Sequence, residues 1–183
     1  MRRLRLILLA ILMIVVFAVL HYVLPQSDVV RIVNTDVRRM DFGANAIFYA
    51  GATGADGTTD VRFIETVDAD GDPMVYRNED TGWGWPFYFK FDSADLQARA
   101  ADLSSTREAP VWVVVRHYGW RSRLLSAFPN ATTIRRAEGP DVSTFPWRAM
   151  VILLGLAVLG GVLIRVGQLF WRNTVRPLFD RRG

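Results

Sequence analysis

Few residues in this chain could do chemistry, and they lie in three places. Asp68, Asp70 and Asp72, in the run Asp68-Ala69-Asp70-Gly71-Asp72-Pro73, fall at positions one, three and five of a calcium loop, and Glu79 falls at position twelve. Val75 even takes the apolar eighth place. Pro73, however, stands where such a loop needs glycine for its sharp turn, and the flanks read as strands where an EF-hand requires helices. The run is therefore expected to be an acidic hairpin turn, with these four residues only a contingent metal set.

His117, followed by Tyr118, Gly119, Trp120 and Arg121, has no serine, threonine or acid at a recognisable catalytic spacing. A hydrolase would have to pair it with Glu79 or Asp80. His21 lies at the end of an apolar stretch and reads as an interfacial residue. Cysteine is absent, which excludes a disulfide framework, a thiol nucleophile and thiolate-ligated metal. Walker, Rossmann and zincin patterns are missing, so neither an enzyme nor a cofactor is expected.

The third group is aromatic. Residues 83–91, Trp-Gly-Trp-Pro-Phe-Tyr-Phe-Lys-Phe, hold six aromatic side chains in nine positions. Strand alternation would send only half of them inward, so some must cover a surface. Trp83, Trp85, Phe87 and Tyr88, together with His117, Tyr118 and Trp120, are the expected partner-binding residues. Stacking on a glycan, lying against membrane headgroups and packing beneath a neighbouring segment are the competing uses.

The elements that must carry these groups follow from hydropathy and charge. Residues 6–24 are apolar except for His21 and Tyr22, and as a helix they would span about 28 Å, the thickness of a bilayer core. Arg2, Arg3 and Arg5 precede them. A cleaved signal peptide is the rival reading, but no small-x-small cleavage site follows in Leu20-His21-Tyr22-Val23-Leu24-Pro25, so an uncleaved anchor is expected. A second apolar segment, residues 147–171, is bracketed by Trp147 and Trp171 and carries Arg165 near one end, close enough to snorkel. Ala157 and Gly161 form a small-xxx-small pair suited to close helix packing against the first span, a second copy or a foreign subunit.

The charge splits with these segments. Of 22 basic and 18 acidic residues, 13 and 17 lie in residues 25–147, leaving the middle net negative; the ends hold nine arginines against Asp180. Arginines beside apolar helices follow the positive-inside bias and do not mark a nucleic-acid face. The expected plan is a basic cytoplasmic N-terminus at 1–5, a first span at 6–24, an external domain at 25–146, a second span at 147–171 and a basic cytoplasmic tail at 172–183.

Within the external domain, β-branched runs predict strands at 28–36, 60–67, 74–77, 111–118 and 132–136, with Pro129-Asn130 as a turn before the last. A short strand at 46–49 would interrupt a glycine-rich stretch at 43–57. Alanines and leucines at helical spacing predict a helix over 93–103 with Ser93 as its N-cap. The fold class is α+β: two transmembrane helices flanking a small β-rich domain. Three strands, a helix and two strands suit an OB-like five-stranded barrel, and an irregular α+β domain is the alternative.

The exit sequence Pro25-Gln26-Ser27-Asp28-Val29-Val30-Arg31, the block VYRNEDTGWGWPFYFKFDS at 75–93 and the block HYGWRSRLLSAFPN at 117–130 resemble the bacterial family catalogued as domain of unknown function fifteen-twenty-three. That resemblance spans nearly the whole chain and implies a setting, the Gram-negative inner membrane with the domain in the periplasm, while assigning no activity, cofactor or site residue. The expected function is a non-enzymatic accessory or assembly factor in contact with the lipid bilayer and docking on another inner-membrane protein or complex. A periplasmic small-ligand or glycan-binding module is the alternative.

Overall fold

The computed structural model describes residues 2–41, 58–124 and 126–175. The expected strand at 46–49 and the glycine-rich stretch around it lie outside the described residues. The chain forms two units, one ending at Phe145 and the other starting at Pro146.

The first unit opens with helix α1 (Arg2–Val23), whose apolar side chains lie exposed along nearly its whole length. Only Leu24 and the buried Pro25 separate it from strand β1 (Gln26–Asp41). Strands β2 (Thr58–Val67) and β3 (Pro73–Arg77) follow, then helix α2 (Ser93–Asp102), β4 (Trp112–Tyr118) and β5 (Asn130–Arg136). The five strands form one mixed sheet that closes as a barrel in the order β1-β2-β3-β5-β4, with β3 and β5 parallel and the other neighbours antiparallel.

β1 runs well beyond its β-branched stretch because it serves two neighbours. Its first half pairs with β4 (Gln26↔His117 to Arg31↔Trp112), and its second half pairs with β2 as far as Asp41↔Thr58, with a bulge between Ile32 and Asn34. A bulge of this kind bends a strand and raises its twist, which lets one strand serve both neighbours. The core holds Val30 and Ile32 from β1, Ile64 and Tyr76, Val113 and Val115, and Ala131 and Ile134. α2 lays Leu96, Ala100 and Leu103 over it, a stripe at four- and three-residue spacing.

Two local expectations need correction. The helix starts at Ser93 with Asp92 in the N-cap position, and the capping group is Asp80, whose carboxylate accepts from the Ser93 N–H at 2.9 Å and from its hydroxyl at 2.7 Å. A carboxylate brought in from another segment satisfies an orphan N–H and complements the helix dipole. Asn130 is no turn residue: it begins β5, is fully buried, and pairs with Tyr118 on one side and Arg77 on the other.

The second unit holds helix α3 (Trp147–Phe170), continued by a π-helical turn (Trp171–Val175). Its apolar face, Ala157 and Gly161 included, is exposed, and nothing lies within 4 Å of a Cβ built on Gly161. Both α1 and α3 are long and apolar enough to cross a membrane.

Candidate functional site

The aromatic run does not enter the sheet. Residues 78–92 form an irregular connection between β3 and α2, so strand alternation does not divide its rings; contact with α1 does. Trp85 stacks on Tyr22 with centroids 6.1 Å apart and 6° between planes. The Tyr88 hydroxyl donates to the Val23 carbonyl at 2.6 Å, and its ring stacks on Tyr118 at 4.5 Å. Trp120 packs edge-on against Tyr22 and donates its indole N–H to His21 Nδ1 at 3.0 Å. Gly119, at φ +95°, donates its N–H to the Tyr22 carbonyl at 2.9 Å. The last turn of α1 is thus held by a collar drawn from both sequence blocks that stood out.

Of the seven expected partner-binding residues, the structure leaves three fully at the surface. Tyr118 is buried in the collar and His117 is buried in the barrel wall, so neither can present a contact face. Tyr88 is half-buried with its hydroxyl spent on Val23, and Trp120 keeps only 37% exposure. Trp83, Trp85 and Phe87 remain exposed, joined by Phe89 and Phe91, which the sequence reading left out of that set. Trp83 touches Phe89 and Phe91 at 5.5 and 5.6 Å, and Phe87 touches Phe89 at 6.2 Å. Phe89 holds a left-handed φ of 50°, a conformation costing a bulky residue about 1–2 kcal/mol.

Beneath the collar lies a buried polar network that the run Arg77-Asn78-Glu79 and Lys90 supply. Arg77 and Glu79 pair at 2.8 Å with both side chains buried. Asn130 accepts from the Glu79 N–H, and its amide donates to the Glu79 carbonyl and to the Tyr118 hydroxyl, each at 3.0 Å. Burial pushes the Glu79 carboxyl up, although Arg77 and Lys90 pull against it. Lys90 donates to Asn78 Oδ1 and, at 2.8 Å, to the Ala131 carbonyl; burial brings its pKa down to about 8. These contacts tie the irregular connection to β5 and, through the Asn78 amide donating to the Ser93 carbonyl and to Gln97, to α2.

A separate cleft of about 490 Å³ is lined by Ser27, Asp28, Asp68, Asp72, Met74 and Tyr76 among others. Asp28 Oδ2 accepts from the Tyr76 hydroxyl at 2.6 Å and meets His117 Nε2 at 2.8 Å. Burial raises the Asp28 carboxyl, but the His117 and Tyr76 bonds outweigh it and hold the group below its ordinary value. Tyr76 is pushed far up by burial and by the Asp28 charge, so it stays a donor. His117 finds its acid neither in Glu79, which is on Arg77, nor in Asp80, which caps α2. Its acid is Asp28, diagonally across the β1–β4 ladder and 89 residues away in sequence.

The acidic turn closes on itself: the Asp68 N–H donates to the Asp72 carbonyl at 3.0 Å, and Asp68 Oδ1 accepts from the Asp72 N–H at 2.8 Å. Glu79 lies in the buried network and is not available to it. Among the described residues no three acidic or histidine side chains converge on a metal-sized site.

A model of the family described as protein of unknown function (DUF1523) matches residues 1–172. An uncharacterized protein of Haemophilus influenzae is 40% identical over 153 residues, covering 81% of this chain and 84% of its own. No solved structure matches the chain.

Proposed function

This chain belongs to DUF1523, a family of proteins of unknown function, and we propose that it is a two-pass inner-membrane protein presenting an OB-like barrel in the periplasm, as a non-enzymatic accessory or assembly module for another inner-membrane protein or complex. The length and apolarity of α1 and α3 support two spans, and the arginines at both ends favour cytoplasmic termini. Strand order β1-β2-β3-β5-β4, with α2 between β3 and β4, supports the OB-like reading.

The observation that carries the functional reading is the stiff joint between α1 and the barrel. Two residues connect helix to strand, and His21, Tyr22 and Val23 are each bound by the β3–α2 connection or by the residues just after β4. A tethered module that only binds a diffusing ligand has no need of such a joint. One that must meet a neighbour in the same membrane at a set height does, because preorganisation removes the entropy cost of orienting the contact.

Native-level purification of the tagged full-length protein in mild detergent, followed by mass spectrometry against an untagged control, tests this. The expected result is a stoichiometric membrane partner with the wild type and its loss with a Tyr22→Ala, Tyr88→Phe double variant whose barrel stays folded. Recovery of the wild type alone would overturn the reading. The cleft at Asp28 favours a second reading, a small-ligand module, and Asp28→Asn should then abolish ligand-induced change in tryptophan fluorescence.

A further inference from the structure

We infer that the connection carrying Trp83, Phe87, Phe89 and Phe91 is a bilayer-contacting loop, its rings seated at the boundary of headgroups and acyl chains beside the point where α1 leaves the membrane. This rests on the membrane-spanning reading of α1 and goes beyond the partner proposed above.

Height is the first argument. The apolar stretch Arg3–Val23 has 21 residues, none of its apolar window buried within the protein; at 1.5 Å per residue it spans about 31 Å, so Val23 emerges at the bilayer surface. The loop is tied at that level, since Tyr88 hydrogen-bonds the Val23 carbonyl and Trp85 stacks on Tyr22. The rings flanking these two ties cannot stand far from the headgroups.

Surface chemistry is the second. Trp83 is 79% exposed, Phe87 65%, Phe91 57% and Phe89 52%, and the four are linked in a chain of ring contacts, Phe91 to Trp83 to Phe89 to Phe87. A contiguous aromatic patch of this kind is not left to water. The one charged side chain within residues 81–91, Lys90, is turned inward and buried, while the exposed Asp80 and Asp92 bound the patch at its two ends, which suits a seat at headgroup level. Trp85 joins this loop to Tyr22 at the end of the exposed apolar sleeve of α1, and tryptophan is the residue type enriched at this depth.

The absence of cysteine makes the test direct. Single-cysteine variants of the full chain, Trp83→Cys, Phe87→Cys and Phe91→Cys, are spin-labelled and reconstituted in phosphatidylethanolamine and phosphatidylglycerol vesicles. Collisions with oxygen and with a water-soluble nickel chelate are measured beside two references, Phe17→Cys on α1 and Val37→Cys, exposed on β1 eleven residues beyond Gln26. The loop labels should be oxygen-exposed, with nickel collision rates on the order of tenfold below that at Val37, because a hydrated chelate is excluded from the acyl region. Three positions keep the result decisive if one variant misfolds. Nickel exposure equal to Val37 while Phe17 stays shielded overturns the inference and leaves the membrane reading intact. Shielding from both reagents means that protein covers the patch, which also overturns it. Nickel exposure at Phe17 as well overturns the spanning reading and this inference with it.

Discussion

Lys90 should make this protein more stable as the solution turns alkaline. Its side chain is 4% exposed, and burial lowers its pKa from 10.5 to about 8, with Asp80, Asp92 and Glu79 resisting the fall. Between those two values the native state has released the proton and the unfolded chain still holds it. The unfolded state then binds more protons, so stability rises with pH. The gap corresponds to about 3 kcal/mol of charge-burial penalty at pH 7, most of which is relieved by pH 10. The hydrogen bonds survive the change, since a neutral amine keeps two N–H groups for its two acceptors, Asn78 Oδ1 and the Ala131 carbonyl. Above pH 10 the sign reverses. Tyr76, Tyr88 and Tyr118 all have phenols raised by burial, so the unfolded chain ionises first and stability falls. Urea unfolding of the full-length protein in dodecyl maltoside, followed by near-UV circular dichroism from pH 7 to 10, reads the slope. Lys90→Met keeps an unbranched apolar stem without a titrating group and should flatten it. A wild-type profile that is level or falling from pH 7.5 to 9.5, or an upslope that persists in Lys90→Met, would refute the reasoning.

Glu79→Gln leaves the Arg77 guanidinium buried without its counter-charge, so urea titration at pH 7 should show a loss of about 3–5 kcal/mol; a loss no larger than that of a surface substitution would count against the network. Asp28 has its carboxyl held down by His117 and Tyr76, so the stability it contributes is present above the ordinary carboxylate range and lost as pH falls through the native value. Asp28→Asn should therefore flatten the acid limb of the stability profile below about pH 4, and an unchanged limb would sink the idea. Gly119→Ala forces a Cβ onto a left-handed residue, where the new atom would lie 3.5 Å from Pro129 and 3.6 Å from the Tyr22 ring. A drop of about 1 kcal/mol in the same titration is expected, and equal or greater stability would show that the left-handed turn is not needed.

Much of the scaffold is written in local pattern. The two apolar helices follow from composition alone, because burying or inserting some twenty uncharged residues is a property of the segment itself. Four of the five strands and α2 follow from β-branched runs and helical spacing near their observed bounds. β1 alone overran its pattern: Arg38, Arg39 and Asp41 carry no strand signal and are held in the ladder by Val61, Asp60 and Thr58 of β2. Membership of the family was legible too, since the blocks at 75–93 and 117–130 are long enough to be specific.

The roles within those blocks were decided by the tertiary structure. Arg77-Asn78-Glu79-Asp80 is polar throughout, yet its first three residues are buried and the fourth caps a helix. The aromatic run divides into collar, Trp85 and Tyr88, and exposed patch, Trp83, Phe87, Phe89 and Phe91, a division set by where α1 ends against it. Asp28 and His117 meet because the β1–β4 register sets Gln26 opposite His117. Hydrophobic periodicity reports how a segment divides between core and surface, and it does so locally. A polar side chain can be buried only when a partner arrives from elsewhere in the chain, and that arrival depends on register and closure of the sheet, which no local window of sequence contains.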